Sequence, residues 1–484
     1  MSKSSLIYKD VAPGAEDTAV VSATGQSGES DIARLPHEND VPALATLERN
    51  RWLLDGTFKL MPQTVPFWSD ALSGDDGTLE SPPVITIEFS AQYSSIGVTL
   101  VFDTATGEYC SSVNIKWYQG STLRSEKDFT PDDTTFFCEN KVTSYDKIVI
   151  TLVKTCLPHR RARLNQIIFG IHRRFYMDEL RNVKIVSETD LASLSVPIST
   201  MTWNLDSKSD TDFMFQLKQP VEAWNDSNLV GVYYIDSFSR SAERLYSIDC
   251  VDALGVLKDS AFSGGMYSGK SAKALMREIV GEKLALDMDE VADTTLTGYI
   301  APGTERDAIQ QVIFAWGVCI STDGRESIRV FHPADEPTAI GVDRTYVGAS
   351  ISTEAIVTEV QVTAHSYTVD TNGGIEIGGQ KYTDTETVYS VKNPDVTAND
   401  KPNVVQVTGA TLISPSIGQA VAQRLYDYYT RRNTVETKFV WKGERLGDCV
   451  TQPTPWGTTE TGNLAKMTLT LSNTVAADSE SIGV

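Results

Sequence analysis

Positive charge is scarce in this 484-residue sequence, where 42 Lys and Arg stand against 64 Asp and Glu for a formal net charge of -22. A general nucleic-acid binder needs a basic face to neutralise phosphates, so general nucleic-acid binding is not expected. Long apolar runs are missing too. None approaches the ~20 consecutive residues that cross a bilayer, so no membrane-spanning segment is expected. Residues 1–20 are polar, without the basic-then-apolar order of a secretion signal. Together these absences point to a soluble protein made in a cytoplasm. Cysteine is sparse: Cys110, Cys138, Cys156, Cys250, Cys319 and Cys449, none in a CxxC pair. Cys156 and His159 form a close Cys/His pair, but no second pair completes a zinc site. These cysteines read as small buried hydrophobes in a reduced compartment. The five histidines, His37, His159, His172, His332 and His365, share no metal-binding spacing such as HExxH, and no GxSxG elbow is present. No catalytic, cofactor-binding or metal-binding residue is assigned on this basis; no cofactor is expected, and the chain does not read as an enzyme.

What is present is ordinary globular material, 41% apolar and 22% charged, in a length that suggests roughly three or four domains. The fold class reads as mainly β with a small α+β module: a β-sandwich followed by two β-barrel-like domains. Residues 1–44 are rich in Gly, Ser, Asp and Glu and read as an extended arm. Residues 45–173 show short strand-like runs, among them Val84–Phe89, Ile96–Phe102 and Lys147–Val153, separated by turns as in a jelly-roll-like sandwich. Trp52, Trp68, Trp117 and Tyr118 supply it with core mass or with a ligand platform, core mass being the expectation. Residues 174–262 form a first barrel-like unit with strands expected at Val183–Val186, Thr200–Leu205, Phe213–Leu217, Leu229–Phe238 and Arg244–Val251. Over 263–344 the period becomes helical: Ala272, Leu275, Met276 and Ile279 form one stripe, and Ile309, Val312, Ile313 and Trp316 another, capped by Thr304. Residues 345–484 return to β, interrupted by one helix announced by Ser414-Pro415 and striped by Ile417, Val421, Leu425 and Tyr428.

Three motifs invite chemistry. Gly264-Gly265-Met266-Tyr267-Ser268-Gly269-Lys270-Ser271 fits the phosphate-loop pattern GxxxxGK[ST]. In a working loop Lys270 would reach the outer phosphate and Ser271 would hold Mg²⁺. The context fails, because the preceding residues 258–263 are mostly polar where a buried parallel strand is required. A Gly/Ser-rich loop leading into a helix is the expectation. Asp287-Met288-Asp289-Glu290 with Asp293 opens like a calcium loop, but Ala292 stands where the glycine belongs and Gly298 where the bidentate Glu belongs. A solvated acidic loop is expected instead. His159-Arg160-Arg161-Ala162-Arg163, followed by His172-Arg173-Arg174, reads as a solvated face or a subunit salt bridge.

Two stretches carry a family resemblance. Ala45-Thr46-Leu47-Glu48-Arg49-Asn50-Arg51-Trp52-Leu53-Leu54-Asp55-Gly56, continued by Thr57-Phe58-Lys59-Leu60, resembles the opening of a discoidin-like, galactose-binding-like sandwich common in tail proteins of phages and prophages of Gram-positive bacteria. Residues 212–220, Gly231–Asp236, Tyr246–Asp252, the Gly264–Ser271 stretch, Gly447-Asp448 and Gly462-Asn463-Leu464 follow the succession seen in phage tail-tip and baseplate hub proteins. The resemblance implies two hub barrels around α+β parts and a homotrimeric ring continuing the tail tube. It implies neighbouring tail or baseplate proteins as partners, and a location at the virion tail tip after assembly in the host cytoplasm. It also implies a host cell-wall glycan as a further partner of the sandwich, which makes a glycan-binding adhesin the alternative. Larger members of the tail-tip group carry an appended peptidase or fibre region, and none is expected from the residues after the last barrel, so the resemblance does not imply wall-degrading activity.

Overall fold

The computed structural model describes residues 4–12, 14–53, 55–60, 64–207, 215–346, 348–397 and 400–483. They are mainly β, with a few short helices, and fall into two compact units, Tyr8–Arg174 and Met1–Ile7 with Phe175–Val484.

In the unit Tyr8–Arg174, the strands Ala19–Thr24, Val84–Val101, Thr135–Thr155, Cys110–Gln119 and Thr122–Phe129 lie side by side in that order, with Gln166–Ile168 added to Val84–Val101. Alternation decides which side chains face inward, since successive residues of a strand point to opposite faces. Ile85 pairs with Ile150 and Ile87 with Ile148, and Ile115 meets Ile150 from the other side. All five are fully buried, as is Trp117. Trp68 joins a smaller buried group with Val41, Leu44 and Val65, whereas Trp52 stays outside the core.

The expected extended arm over residues 1–44 is corrected by the structure. Ala19–Thr24 pairs in register with Val84–Phe89, and Ala15 and Leu35 are fully buried in the core of this unit. The polar composition hid a strand that buries only one face against a partner about sixty residues further on.

In the larger unit, Pro220–Asn225, Asn228–Arg240, Leu245–Val251, Thr200–Asp206, Leu180–Glu188, Thr459–Leu471, Val475–Gly483, Asn433–Val440 and Ser350–Thr353 are consecutive neighbours in one sheet. Strands from 174–262 and from 345–484 therefore meet directly: Lys184 pairs with Thr470, Ile185 with Leu469 and Val186 with Thr468. Phe213 and Met214 of the expected strand Phe213–Leu217, and so part of the stretch 212–220, lie outside the described residues, as does Leu54. Between these strands sit the helices. Ala272–Val280 buries Leu275, Met276 and Ile279. Glu305–Trp316 starts at a capping box in which Thr304 and Asp307 satisfy each other's backbone N–H groups. The third helix runs Gly418–Thr430, three residues past the expected Ser414-Pro415 start, and buries Val421 and Leu425. These helices share one core with Val360, Val362 and Ala364 of the strand Glu359–Val369.

Gly447 shows why one of the resemblance residues must be glycine. Its φ is 86°, and a Cβ there would lie 2.1 Å from the Phe331 ring. Nearby, the buried Asn463 donates to Gly447 O at 3.1 Å and to Ala334 O at 2.7 Å.

Candidate functional site

The phosphate-loop look-alike is not a loop. Gly265–Ser271 is a strand that pairs antiparallel with Thr295–Ile300, so its backbone N–H groups cannot wrap a phosphate. Ser271 caps the following helix, its hydroxyl accepting from Ala274 N at 3.1 Å and donating to Asp293 at 2.6 Å. Lys270 is paired with Glu278 at 2.9 Å. The helix expected after the motif is there; the loop expected over it is a strand. Gly264 has φ 72°, and a Cβ would fall 2.5 Å from Ile300 O, so glycine is required for the turn itself. Asp293, of the acidic loop, is occupied in the same way. It accepts the Ser271 hydroxyl and the N–H groups of Lys273 and Thr294, which hold its carboxyl below the usual range.

Two members of the basic cluster, Arg160 and Arg163, turn inward, which corrects the expected solvated face or subunit salt bridge for them, whereas His159 and Arg174 are exposed. The strand Arg161–Leu164 pairs with Phe67–Leu72, and alternation points Arg163 into the protein. Arg163 pairs with Glu48 and, at 3.0 Å, with Asp103, and lies 4.6 Å over the Trp68 ring. Arg160 binds Glu108 at 2.8 Å, and Arg51 pairs with the same carboxylate. Three guanidinium groups thus face three carboxylates, all six residues buried. For Glu108, burial is the largest influence and pushes the pKa up, but hydrogen bonds from Arg51 and Arg160 together with their charges outweigh it, leaving a net value below the ordinary range. The sequence offered no signal for this, because the partners are at least fifty residues away.

Glu48 and Arg51 also fix the loop that carries the sandwich resemblance. Glu48 accepts the N–H of Arg161 at 2.9 Å, and Ala45 and Lys59 close the loop through backbone hydrogen bonds. Between these anchors Leu47 is 96% exposed, Trp52 56% and Leu53 46%. Large apolar side chains on a rigidly held loop form a surface suited to stacking or docking.

In the larger unit a cavity of about 1030 Å³ opens between Trp224–Val230, Thr322–Arg329 and Trp441–Leu446. Three of its charged groups, Asp323, Arg329 and Glu444, are engaged. Arg329 pairs with Asp323 and donates to Leu446 O at 2.7 Å, and Arg344 holds Glu444. No histidine or cysteine lines it among the described residues. Behind its wall, Thr322 donates to the fully buried Asp252 at 3.1 Å. Burial raises Asp252 to about 6, against the lowering effect of the Gly255 and Ser199 N–H groups and the Thr322 hydroxyl.

Burial pushes the thiols of Cys138, Cys250 and Cys319 up to about 12, away from the reactive thiolate form. His37 and His159 make exposed contacts with Glu16 and Asp75. No helix among the described residues is long and apolar enough to cross a membrane.

No family model matches the chain and no curated protein matches it. Among solved structures it is similar to the tail protein from Neisseria meningitidis MC58, with 14% identity and a TM-score of 0.48 over 65% of this chain and 94% of that one. The 43 kDa tail protein of prophage MuSo2 from Shewanella oneidensis is 11% identical, with a TM-score of 0.44 over 64% and 96% of the two chains. A prophage tail protein from Listeria monocytogenes EGD-e is 10% identical, with a TM-score of 0.42 over 63% and 91%.

Proposed function

We propose that this chain is a non-enzymatic structural hub of a phage or phage-like tail tip or baseplate. In this reading three copies form a ring that closes or extends the tail tube and anchors neighbouring tail or baseplate proteins. The observation that carries it is the direct pairing of Leu180–Glu188 with Thr459–Leu471. That pairing ties the two strand-rich regions flanking the helices into one sheet, a stiff frame of the kind a load-carrying ring requires. Gly231–Asp236, Tyr246–Val251 and Gly462–Leu464 of the succession that resembles hub proteins lie on this frame. The cavity beside it, lined by polar groups and by charges of both signs, is suited to holding a loop of a neighbouring protein. Imaging of native particles with mass measurement of the assembled protein tests the reading. Threefold rings at the tail end are expected; monomers both in particles and in isolation would defeat it.

A second reading, a host-surface glycan-binding adhesin, is favoured by the exposed Trp52 on its anchored loop. Aromatic faces stack on sugar rings through dispersion and C–H contacts. Binding of the whole chain to purified host wall polymers, reduced at least about tenfold in Trp52→Ala, is the expected result under that reading. Equal binding by both proteins would remove it.

A further inference from the structure

His365, Asp384 and Glu386 converge although they are about twenty residues apart in sequence. They sit on two long antiparallel strands, Glu359–Val369 and Gln380–Lys392, whose register places His365 opposite Glu386 and Tyr367 opposite Asp384. Directly opposed residues share a face, so one imidazole meets two carboxylates. One ligand atom from each of the three lies within 4.8 Å of the others.

The hydrogen bonds of the ring give the cluster its meaning. Nε2 of His365 is 3.1 Å from Thr408 O. A carbonyl only accepts, so Nε2 carries a proton and donates it. In the neutral ring this leaves the Nδ1 lone pair aimed at Asp384, whose Oδ2 is 2.7 Å away. Two acceptors facing one another require a positive centre between them. An imidazole N–H held by a backbone carbonyl, with the other nitrogen turned to carboxylates, is how metal-binding histidines are oriented. The second oxygen of Asp384 is buried and has no hydrogen-bond partner among the described residues. The His365 side chain is 4% exposed and that of Asp384 24%, while Glu386 is open to solvent, so the cluster is closed behind and accessible in front. Tyr367 stacks parallel to the imidazole at 6.2 Å, packing its remaining face.

We infer that His365 Nδ1, Asp384 and Glu386 form a binding site for a divalent transition ion of the zinc type, with water completing the shell on the exposed side. One nitrogen and two carboxylate oxygens suit such an ion. His365 Nδ1 and Asp384 Oδ2 stand 2.7 Å apart, so uptake of the ion requires the carboxylates to rotate outward. The ion ties the two strands to the segment at Thr408, acting as a staple in this sheet rather than as a reaction centre.

The test uses the full chain, stripped with a chelator and titrated with ZnSO₄ by calorimetry and with CoCl₂ by visible absorption. One ion per chain is expected, with the d–d bands of a low-coordinate cobalt site and a higher melting temperature for the zinc-loaded protein. Glu386→Gln, at an exposed position that leaves the fold intact, should weaken binding about tenfold or more, the loss that even an outer-shell change can cause. It should also abolish the cobalt bands, and Asp384→Asn should do the same. No uptake would overturn the inference and leave a proton between Nδ1 and Asp384. Equal uptake by wild type and Glu386→Gln would also overturn it, placing the ion elsewhere on the acidic surface.

Discussion

The two compact units bury charge in opposite ways. In Tyr8–Arg174, Arg51, Arg160 and Arg163 neutralise Glu48, Asp103 and Glu108. In the larger unit, Asp252 is buried without a cation and is held by two backbone N–H groups and a threonine hydroxyl. The consequences diverge: Glu108 titrates below its ordinary range, whereas Asp252 is raised to about 6. Arginine partners repay the desolvation of a carboxylate, while neutral donors repay only part of it. The first arrangement holds its ions by mutual need, and the second holds a group that gains by keeping its proton.

The largest expected effect comes from breaking the ionic side. Arg163→Met leaves Glu48 and Asp103 buried without their cation and should cost roughly 3–5 kcal/mol in chemical denaturation. A loss under about 1 kcal/mol would mean that water or rearrangement replaces the cation. Next is the lone carboxylate. The folded protein holds the Asp252 proton to higher pH than the unfolded chain, whose value is near 3.8. Its contribution is complete below about that pH and is lost as pH rises through about 6, a change of roughly 1–3 kcal/mol. Asp252→Asn removes this slope, so its deficit against wild type should shrink between pH 4 and pH 6; a constant deficit would contradict the assignment. Glu108 has the reverse sign, its stabilisation lost as pH falls.

Smaller effects belong to charges nearer the surface. Thr304→Ala breaks the capping box with Asp307 and should cost about 1 kcal/mol, read as a shift in the denaturation midpoint. Lys270→Ala removes an exposed pair with Glu278 and should change stability by less than about 0.5 kcal/mol. It should also leave ATP binding, tested by calorimetry, as undetectable as in wild type. A nucleotide signal lost in this variant would reopen the phosphate-loop reading.

Local pattern was legible; long-range partnership was not. The helices Ala272–Val280 and Glu305–Trp316, with the Thr304 cap of the second, follow from residues within a turn or two of each other. Arg160 and Arg163 looked solvated because charged residues usually are, and nothing in their neighbourhood names Glu48, Asp103 or Glu108. The strand Ala19–Thr24 looked like an arm because half of its residues face solvent. His365, Asp384 and Glu386 become neighbours only once the register of a long hairpin is known, and spacing rules written for single helices or loops pass over such a group.

One feature of chain order has a kinetic consequence. Residues 4–7 belong with 175–484, and Ser4 donates to the carbonyl of Ser472 at 2.7 Å. The whole of Tyr8–Arg174 is threaded between them as an insert. On the ribosome the insert emerges complete while its host still lacks most of its strands, so it can fold first. The opening strand already has Pro220–Asn225 beside it, but the host must wait for its last strands before its sheet is complete and Ser4 meets Ser472, since contacts this distant in sequence form slowly. In the interval the early strands of the host stand with open edges, and a chaperone or a sister subunit arriving then would find them available.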